Sequence, residues 1–158
     1  EISKFNSCDN GINGYFYNNF CDESVPPRLY FTTKNAQLID LFLKQINHIE
    51  DVKIKDYLLY CGLKAISRVS NVTGTQSAFL KKYQKRAKDH FKLNYENVIE
   101  GSISIFNRDI LSLLNDSEFR RTYREDILYL DPPYNQRQYG PNYHLYETFV
   151  RNDNSKVK

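Results

Sequence analysis

An apolar run leads directly into two consecutive prolines, and this junction is the strongest constraint on the fold. The run is Ile127-Leu128-Tyr129-Leu130, and Asp131-Pro132-Pro133-Tyr134 follows it without a break. A compact apolar run of this length is typical of a buried strand, and the prolines exclude a helix at its end. Upstream, residues 102–106 alternate polar and apolar side chains as strands do, and residues 110–119 have helical spacing.

The order strand, helix, strand predicts a βαβ unit, which is the building block of a parallel α/β sheet. Ligands of such sheets bind beyond the carboxyl ends of the strands. Asp109 and Asp131 each follow the end of a predicted strand, so we expect both carboxylates at the binding edge. Asp109 can equally be the cap of the helix that begins at Ile110.

Composition excludes several classes of protein. A length of 158 residues corresponds to about one domain, and 41% hydrophobic with 15% aromatic residues is too apolar for a disordered chain. No apolar run approaches the ~18–20 residues that span a bilayer. The three cysteines include no CxxC pair, which argues against a disulfide framework or a zinc site and favours the cytoplasm.

The first half of the chain has helical patterning. Thr32 or Thr33 is placed to cap a helix whose apolar positions continue to Ile49. A second helix is predicted from near Lys53 to Val69. Residues 1–30, with their Asn-Gly pairs, predict an irregular entry or a hairpin. Residues 75–92 predict a basic helix, or a helix with a loop.

The net charge of +3 is unevenly distributed. Residues 1–79 contain eight basic and eight acidic side chains, whereas residues 80–158 contain fourteen and eleven. Six of those cations lie within twelve residues: Lys81, Lys82, Lys85, Arg86, Lys88 and Lys92. Such a segment can neutralise nucleic-acid phosphates. The same pattern also fits a solvated helix face.

The residues after the apolar run suit a planar ring that carries an exocyclic amine. Two prolines stiffen the loop and remove two N–H donors, so that its carbonyls act as acceptors. The carboxylate of Asp131 is a further acceptor, and Tyr134 offers a flat aromatic face. These groups fit an adenine or a cytosine that has left its stack. A simple turn is the alternative interpretation.

The segment from Asp126 to Thr148 resembles the catalytic segment of bacterial adenine-specific DNA methyltransferases, the modification enzymes of restriction–modification systems. It reads DILYLDPPYNQRQYG and continues through NYHL to ET. Residues 28–40 and 71–87 are similar to two further blocks of the family. The resemblance covers roughly residues 11–154.

This resemblance implies an α/β fold, namely part of a Rossmann-like S-adenosylmethionine-dependent methyltransferase sheet with a mainly helical insert. It places the insert, with target recognition, at residues 1–93 and part of the catalytic domain at residues 94–158. The implied reaction transfers a methyl group from S-adenosylmethionine to the exocyclic amine of adenine in double-stranded DNA, with base flipping. A cognate restriction endonuclease is an implied partner, and neither a metal nor a membrane is implied.

The resemblance also assigns catalytic roles. Asp131 and the Pro132 carbonyl accept hydrogen bonds from the target amine, which keeps the nitrogen lone pair out of the ring. Pro133 belongs to the same loop, and Tyr134 stacks on the flipped adenine. His144 is expected to be a structural hydrogen-bond donor rather than a general base.

The same resemblance implies which residues contact the cofactor and the DNA. Asp109 matches the acidic position that contacts the cofactor's adenine amine, Ile110 packs on that ring, and Asp131 borders the cofactor. Arg137 either contacts a phosphate near the extruded nucleotide or lies in a solvated loop. The residues expected to bind nucleic acid are Lys81, Lys82, Lys85, Arg86 and Arg137.

The chain departs from the family at the expected glycine-rich cofactor loop. The glycines Gly11 and Gly14 do not follow an apolar strand, and the chain begins with Glu1 rather than Met. We therefore expect a fragment that lacks the N-terminal cofactor loop. A catalytically inactive module that binds DNA or a partner is the alternative, and methylation of structured RNA is a third possibility.

Overall fold

The regular secondary structure is entirely helical in the part that the computed structural model describes, residues 1–131 and 139–154. Within those ranges there is no β-strand, and the single strand-like pairing is an isolated parallel bridge between Cys21 and Phe31. The predicted α/β sheet is therefore wrong. The helices are α1 (Ile2–Asn6), α2 (Tyr15–Phe20), α3 (Thr33–Ile46), α4 (Val52–Val69), α5 (Ile110–Asn115), α6 (Ser117–Thr122) and α7 (Tyr139–Arg151).

The two segments expected to be strands have no partner strand among the residues that the structure describes. Residues 102–106 and 127–130 adopt no regular secondary structure. Ile105 is 88% exposed and Ile127 is 97% exposed. A strand persists only where a neighbouring backbone satisfies its N–H and C=O groups. Side-chain patterning alone does not supply that neighbour, which is why the βαβ prediction fails here.

The chain divides into two compact units. One comprises Glu1–Glu96 with Gln138–Lys158, and the other comprises Asn97–Arg137. The second unit contains α5 and α6, around which Phe106, Phe119 and Tyr123 form an aromatic cluster with ring centroids 4.8–6.2 Å apart.

Helices α3 and α4 form where the sequence places them, because each has an N-cap and a continuous apolar side. The Thr32 hydroxyl accepts a hydrogen bond from the Asn35 N–H at 3.3 Å, and the Asp51 carboxylate accepts one from Ile54 at 3.0 Å. The buried apolar side chains of α3 and α4 join the core of the first unit. These two helix predictions are confirmed.

Helix α2 depends on a carboxylate that lies far along the chain. Asp40, on α3, accepts hydrogen bonds from the backbone N–H groups of Gly14, Phe16 and Tyr17 at 2.8–3.0 Å. A carboxylate at a helix N-terminus satisfies donors that otherwise have no partner. Burial raises the pKa of Asp40, against the lowering effect of these hydrogen bonds. The expectation of an irregular entry or hairpin over residues 1–30 is wrong, since α1 and α2 occur there.

Helix α7 completes the core through an aromatic contact. Phe149 is fully buried and stacks on Phe42 of α3, with ring centroids 5.6 Å apart and planes 4° apart. Gly62 of α4 lies against both rings. A Cβ at this glycine would meet the Phe149 ring at 2.6 Å and the Phe42 ring at 2.8 Å. The absence of a side chain at Gly62 therefore allows α3, α4 and α7 to meet.

We expect Gly62→Ala to destabilise the protein by about 1–2 kcal/mol. The added methyl group overpacks two buried rings, and this outweighs the gain of up to ~1 kcal/mol in helix propensity. Urea unfolding followed by circular dichroism measures the change. Gly140→Ala is the matched control, because Gly140 is helical and a Cβ there meets nothing within 4 Å. Stabilisation by both substitutions would contradict the packing argument.

Candidate functional site

The motif that carried the functional prediction lies mostly outside the described residues. Asp131 is described and is exposed to solvent. Pro132, Pro133, Tyr134 and Arg137 fall within residues 132–138, which lie outside the described ranges. Their catalytic and DNA-binding roles therefore stay predictions from the sequence. The exposure of Asp131 leaves its carboxylate accessible to a ligand.

Asp109 is the N-cap of α5. Its carboxylate accepts a hydrogen bond from the Ser112 N–H at 2.9 Å. This hydrogen bond is the main cause that lowers the pKa of Asp109 below its usual value. The next residue, Ile110, is 53% exposed. The capping interpretation of Asp109 is thus confirmed, and oxygen lone pairs remain for a second donor.

The basic segment between Lys81 and Lys92 is not the helix that its spacing predicted. It contains a single 3-10 turn, Arg86–Lys88. Lys81, Lys82, Lys85 and Arg86 are all exposed. In the described part of the chain, none of these four cations forms an ion pair. Their charges are therefore available to an external anion.

Asn71 shapes the start of this segment. It is fully buried, and its side-chain amide donates to the carbonyls of Leu29 and Leu80, each at 3.0 Å. Its side-chain oxygen accepts the Gln84 N–H at 3.0 Å. Its backbone adds hydrogen bonds with Tyr30 and with Leu80. Asn71 therefore closes the loop of residues 71–84 with both its side chain and its backbone.

Asn35 fixes the other end of the segment. Its side-chain amide donates to the carbonyls of Ala87 and Asp89, at 3.3 and 2.8 Å, and its oxygen accepts the Phe91 N–H at 2.9 Å. Asn35 is 2% exposed. Two buried asparagines therefore replace helical hydrogen bonds with side-chain ones, and this explains why the helix prediction fails over residues 75–92.

Tyr83 fixes the early part of the segment to the chain just before α3. Its hydroxyl lies 2.7 Å from the Phe31 carbonyl and 3.0 Å from the Asp22 carboxylate. Burial, and then the nearby Asp22 carboxylate, raise the pKa of Tyr83 well above its usual value. The tyrosine thus remains a neutral donor. The neighbouring lysines are held on a backbone that is fixed at three points.

Asn35 and Asn71 belong to the two blocks similar to the family, and residues 71–74 were expected to end the second helix, but the sequence did not predict the contacts that these asparagines make. The sequence contains a general signal for such a structural role of asparagine. An asparagine is uncommon among fully buried residues unless its amide is satisfied. Asn71 follows directly after the end of α4 at Val69–Ser70. Their partners, however, lie up to 56 residues away, and no local pattern identifies such a partner.

His144 makes structural contacts. Its ring lies 5.5 Å from the ring of Tyr30 and 6.1 Å from that of Phe20, and Nδ1 is 3.1 Å from the Pro141 carbonyl. Since the Pro141 carbonyl can only accept, Nδ1–H is the donor in this contact, and the role of His144 in the reaction stays a prediction from the sequence. On the same helix, Tyr139 and Tyr143 stack with centroids 5.8 Å apart and line an open pocket of about 550 Å³.

The described residues contain neither a metal-ion cluster nor a membrane-spanning helix. No group of three or more His, Cys, Asp or Glu side chains among them is arranged to hold a metal ion. None of the helices described is both long and apolar enough to cross a membrane. The thiols of Cys8, Cys21 and Cys61 are free.

Comparison with known proteins identifies a family over almost the whole chain. The sequence model described as D12 class N6 adenine-specific DNA methyltransferase matches residues 3–158. The chain is 36% identical over 137 residues to Type II methyltransferase M.FokI of Planomicrobium okeanokoites. It is 35% identical over 150 residues to Modification methylase LlaI of Lactococcus lactis subsp. lactis. It is 32% identical over 153 residues to Type II methyltransferase M.NlaIII of Neisseria lactamica.

These relatives are considerably longer than the chain. The similar region covers 82% of this chain and 20% of M.FokI. It covers 91% of this chain and 24% of LlaI, and 92% of this chain and 44% of M.NlaIII. The chain therefore spans less than half the length of these curated relatives. No solved structure matches it.

Proposed function

Because the chain belongs to the family of D12 class N6 adenine-specific DNA methyltransferases, we propose that it acts in transferring a methyl group to the exocyclic amine of adenine in double-stranded DNA. The observation that carries the proposal is the Asp131-Pro132-Pro133-Tyr134 motif within a family match over residues 3–158. The methyl donor is S-adenosylmethionine. We further propose that the protein acts in the cytoplasm and that a cognate restriction endonuclease is its partner.

The proposed chemistry is positioning and electrostatics. The target adenine is flipped out of the duplex and stacks on Tyr134. Its amine donates hydrogen bonds to the Asp131 carboxylate and the Pro132 carbonyl, and the rigid Pro133 holds that geometry. This keeps the nitrogen lone pair localised and in line for attack, without a covalent enzyme intermediate. The N–C bond would form as the S–C bond of the bound methyl donor breaks, so that S-adenosylhomocysteine would be released, and the methylated amine would lose a proton to water.

The residues assigned to the cofactor offer hydrogen-bond acceptors and an apolar surface that fit its adenine. S-adenosylmethionine, when bound, supplies an electrophilic methyl group. The Asp109 carboxylate accepts the Ser112 N–H and is exposed to solvent, so that its oxygens can also accept from an adenine amine. The exposed apolar side chain of Ile110 offers a surface for a purine ring, and Asp131 borders the same cofactor.

Residues 1–93 are assigned to target recognition and residues 94–158 to part of the catalytic domain. We assign phosphate contacts to the basic segment, through Lys81, Lys82, Lys85 and Arg86, and to Arg137. The unpaired charges of the first four and the three-point attachment of their backbone support this assignment. A preorganised cationic surface loses little conformational entropy when it binds.

A labelled methyl-transfer assay tests the proposed function. The chain is incubated with S-adenosylmethionine that carries a labelled methyl group and with duplex DNA, and adenine methylation is read by nucleoside analysis. Calorimetric titration with S-adenosylmethionine measures cofactor binding separately. Transfer to adenine supports the proposal. DNA binding without cofactor binding or transfer would instead support the inactive binding module, and preferential transfer to structured RNA would overturn DNA as the substrate.

We expect the triple variant Lys81→Gln/Lys82→Gln/Lys85→Gln to bind DNA more weakly and with a flatter salt dependence. If each lysine contacts a phosphate, the slope of log K against log salt falls by about three. Fluorescence anisotropy across a salt series measures the slope. The control Lys44→Gln/Lys53→Gln/Lys55→Gln removes the same charge from α3 and α4. Equal slopes for the two triple variants would refute a local contact.

A further inference from the structure

A polar pocket lies where the end of α4 meets the basic segment. Its volume is about 440 Å³, within the usual range of about 300–1,000 Å³ for small-ligand sites. One of its lining residues is cationic and none is acidic. They are Ser67, Ser70, Val72, Thr73, Gly74, Gln84, Arg86 and Tyr146.

Arg86 gives the pocket its charge. Its Nη2 donates to the Val72 carbonyl at 2.7 Å, which orients the guanidinium and uses one of its five N–H donors. Arg86 has no ion-pair partner in the described residues. A guanidinium that is already oriented by a carbonyl suits a phosphate oxygen, because the remaining donors are arranged as a rigid fork.

Neutral polar groups surround this cation. Across the described ranges, the side chains of Ser67, Thr73 and Gln84 make no hydrogen bond within the protein. Gly74 has φ of +135°, and a Cβ placed there would meet nothing within 4 Å. Hydroxyl and amide groups and an accessible backbone thus face the same space. These are the groups that contact phosphates in nucleic-acid complexes.

The walls of the pocket are held in place independently of any ligand. Asn71, which precedes Val72, accepts the Gln84 N–H with its buried side chain, so the two sides of the pocket are tied together. The carbonyls of Ile66 and Ser67 near the end of α4 already accept hydrogen bonds from Ser70. These hydrogen bonds reduce the negative potential of this helix end, which would otherwise repel an anion.

We infer that this pocket binds a phosphodiester group of duplex DNA, with Arg86 as the charged contact and with Ser67, Thr73 and Gln84 as neutral donors. The inference rests on the proposed function for the nature of the polymer, and it adds a defined phosphate site to a diffuse basic surface. Lys81, Lys82 and Lys85 lie earlier in the same segment and would contact flanking phosphates.

The test compares the full chain with Arg86→Gln and Thr73→Val by anisotropy with duplex DNA over a salt series. Arg86→Gln is expected to lower the slope of log K against log salt by about one. Thr73→Val is expected to weaken binding roughly tenfold, as the loss of one hydrogen bond to a charged group does, without changing the slope. Lys53→Gln, at the other end of α4 and about 25 Å away, is the charge control.

The outcomes separate the two proposals. An unchanged slope in Arg86→Gln, with DNA still bound, overturns the pocket and leaves the proposed function standing. Failure of the wild-type chain to bind DNA overturns both. A parallel titration with inorganic phosphate tests whether the pocket binds free phosphate rather than a phosphate of the DNA backbone. Saturable phosphate binding that is lost in Arg86→Gln, together with an unchanged DNA slope, would assign the pocket to a free anion instead. Circular dichroism melting confirms that each variant is folded.

Discussion

Replacing Asp131 with alanine is expected to reduce methyl transfer by about 10²–10³-fold or more while leaving DNA affinity within about twofold. The carboxylate accepts a hydrogen bond from the target amine at the moment when that nitrogen becomes nucleophilic. Its removal therefore affects the transition state more than the bound duplex. Single-turnover transfer and equilibrium DNA binding, measured on the same preparation, give the two quantities.

Two further substitutions sharpen this experiment. Asp131→Asn keeps one acceptor oxygen and is expected to retain more activity than Asp131→Ala. Asp126→Ala removes an exposed carboxylate five residues earlier in the same stretch and is expected to have no effect on transfer. Near-normal transfer by Asp131→Ala, or an equal loss in Asp126→Ala, would refute the proposed role of Asp131.

Replacing Asn71 with alanine is expected to lower the free energy of unfolding by about 3 kcal/mol. The substitution leaves the carbonyls of Leu29 and Leu80 and the N–H of Gln84 without their side-chain partner. A buried group that loses its partner costs about 1–3 kcal/mol, and the partial burial of these groups favours the lower end for each. Urea unfolding at neutral pH measures the change.

The chemistry of the side chain can be separated from its volume. Asn71→Asp keeps an acceptor for Gln84 but turns a carboxylate oxygen towards two carbonyls, so we expect it to destabilise at least as much as Asn71→Ala. Asn94→Ala, at an exposed position without a side-chain hydrogen bond in the described structure, is the control and should change stability by less than about 0.5 kcal/mol. Equal stability of all the variants would contradict the role assigned to Asn71.

The basic segment shows why local sequence patterns do not fully predict the secondary structure of this protein. Its apolar spacing favoured a helix, yet it forms an irregular chain that Asn35 and Asn71 stabilise from outside. Sequence alone identified its charge and its solvent exposure, which depend on residue type. It did not identify the pocket beside Arg86, because the Val72 carbonyl and Tyr146 of α7 reach that place only through the fold.

The helices that the sequence determined by itself are those whose stabilising contacts are local. The N-caps Thr32 and Asp51 act within three residues, and the apolar stripes of α3 and α4 follow from helical geometry. The family was likewise evident from the linear motif at Asp131. Tertiary structure decided everything that needs a distant partner. The two expected strands lack neighbouring strands in the described part of the chain, α2 forms against a carboxylate from α3, and the basic segment takes its shape from two buried asparagines.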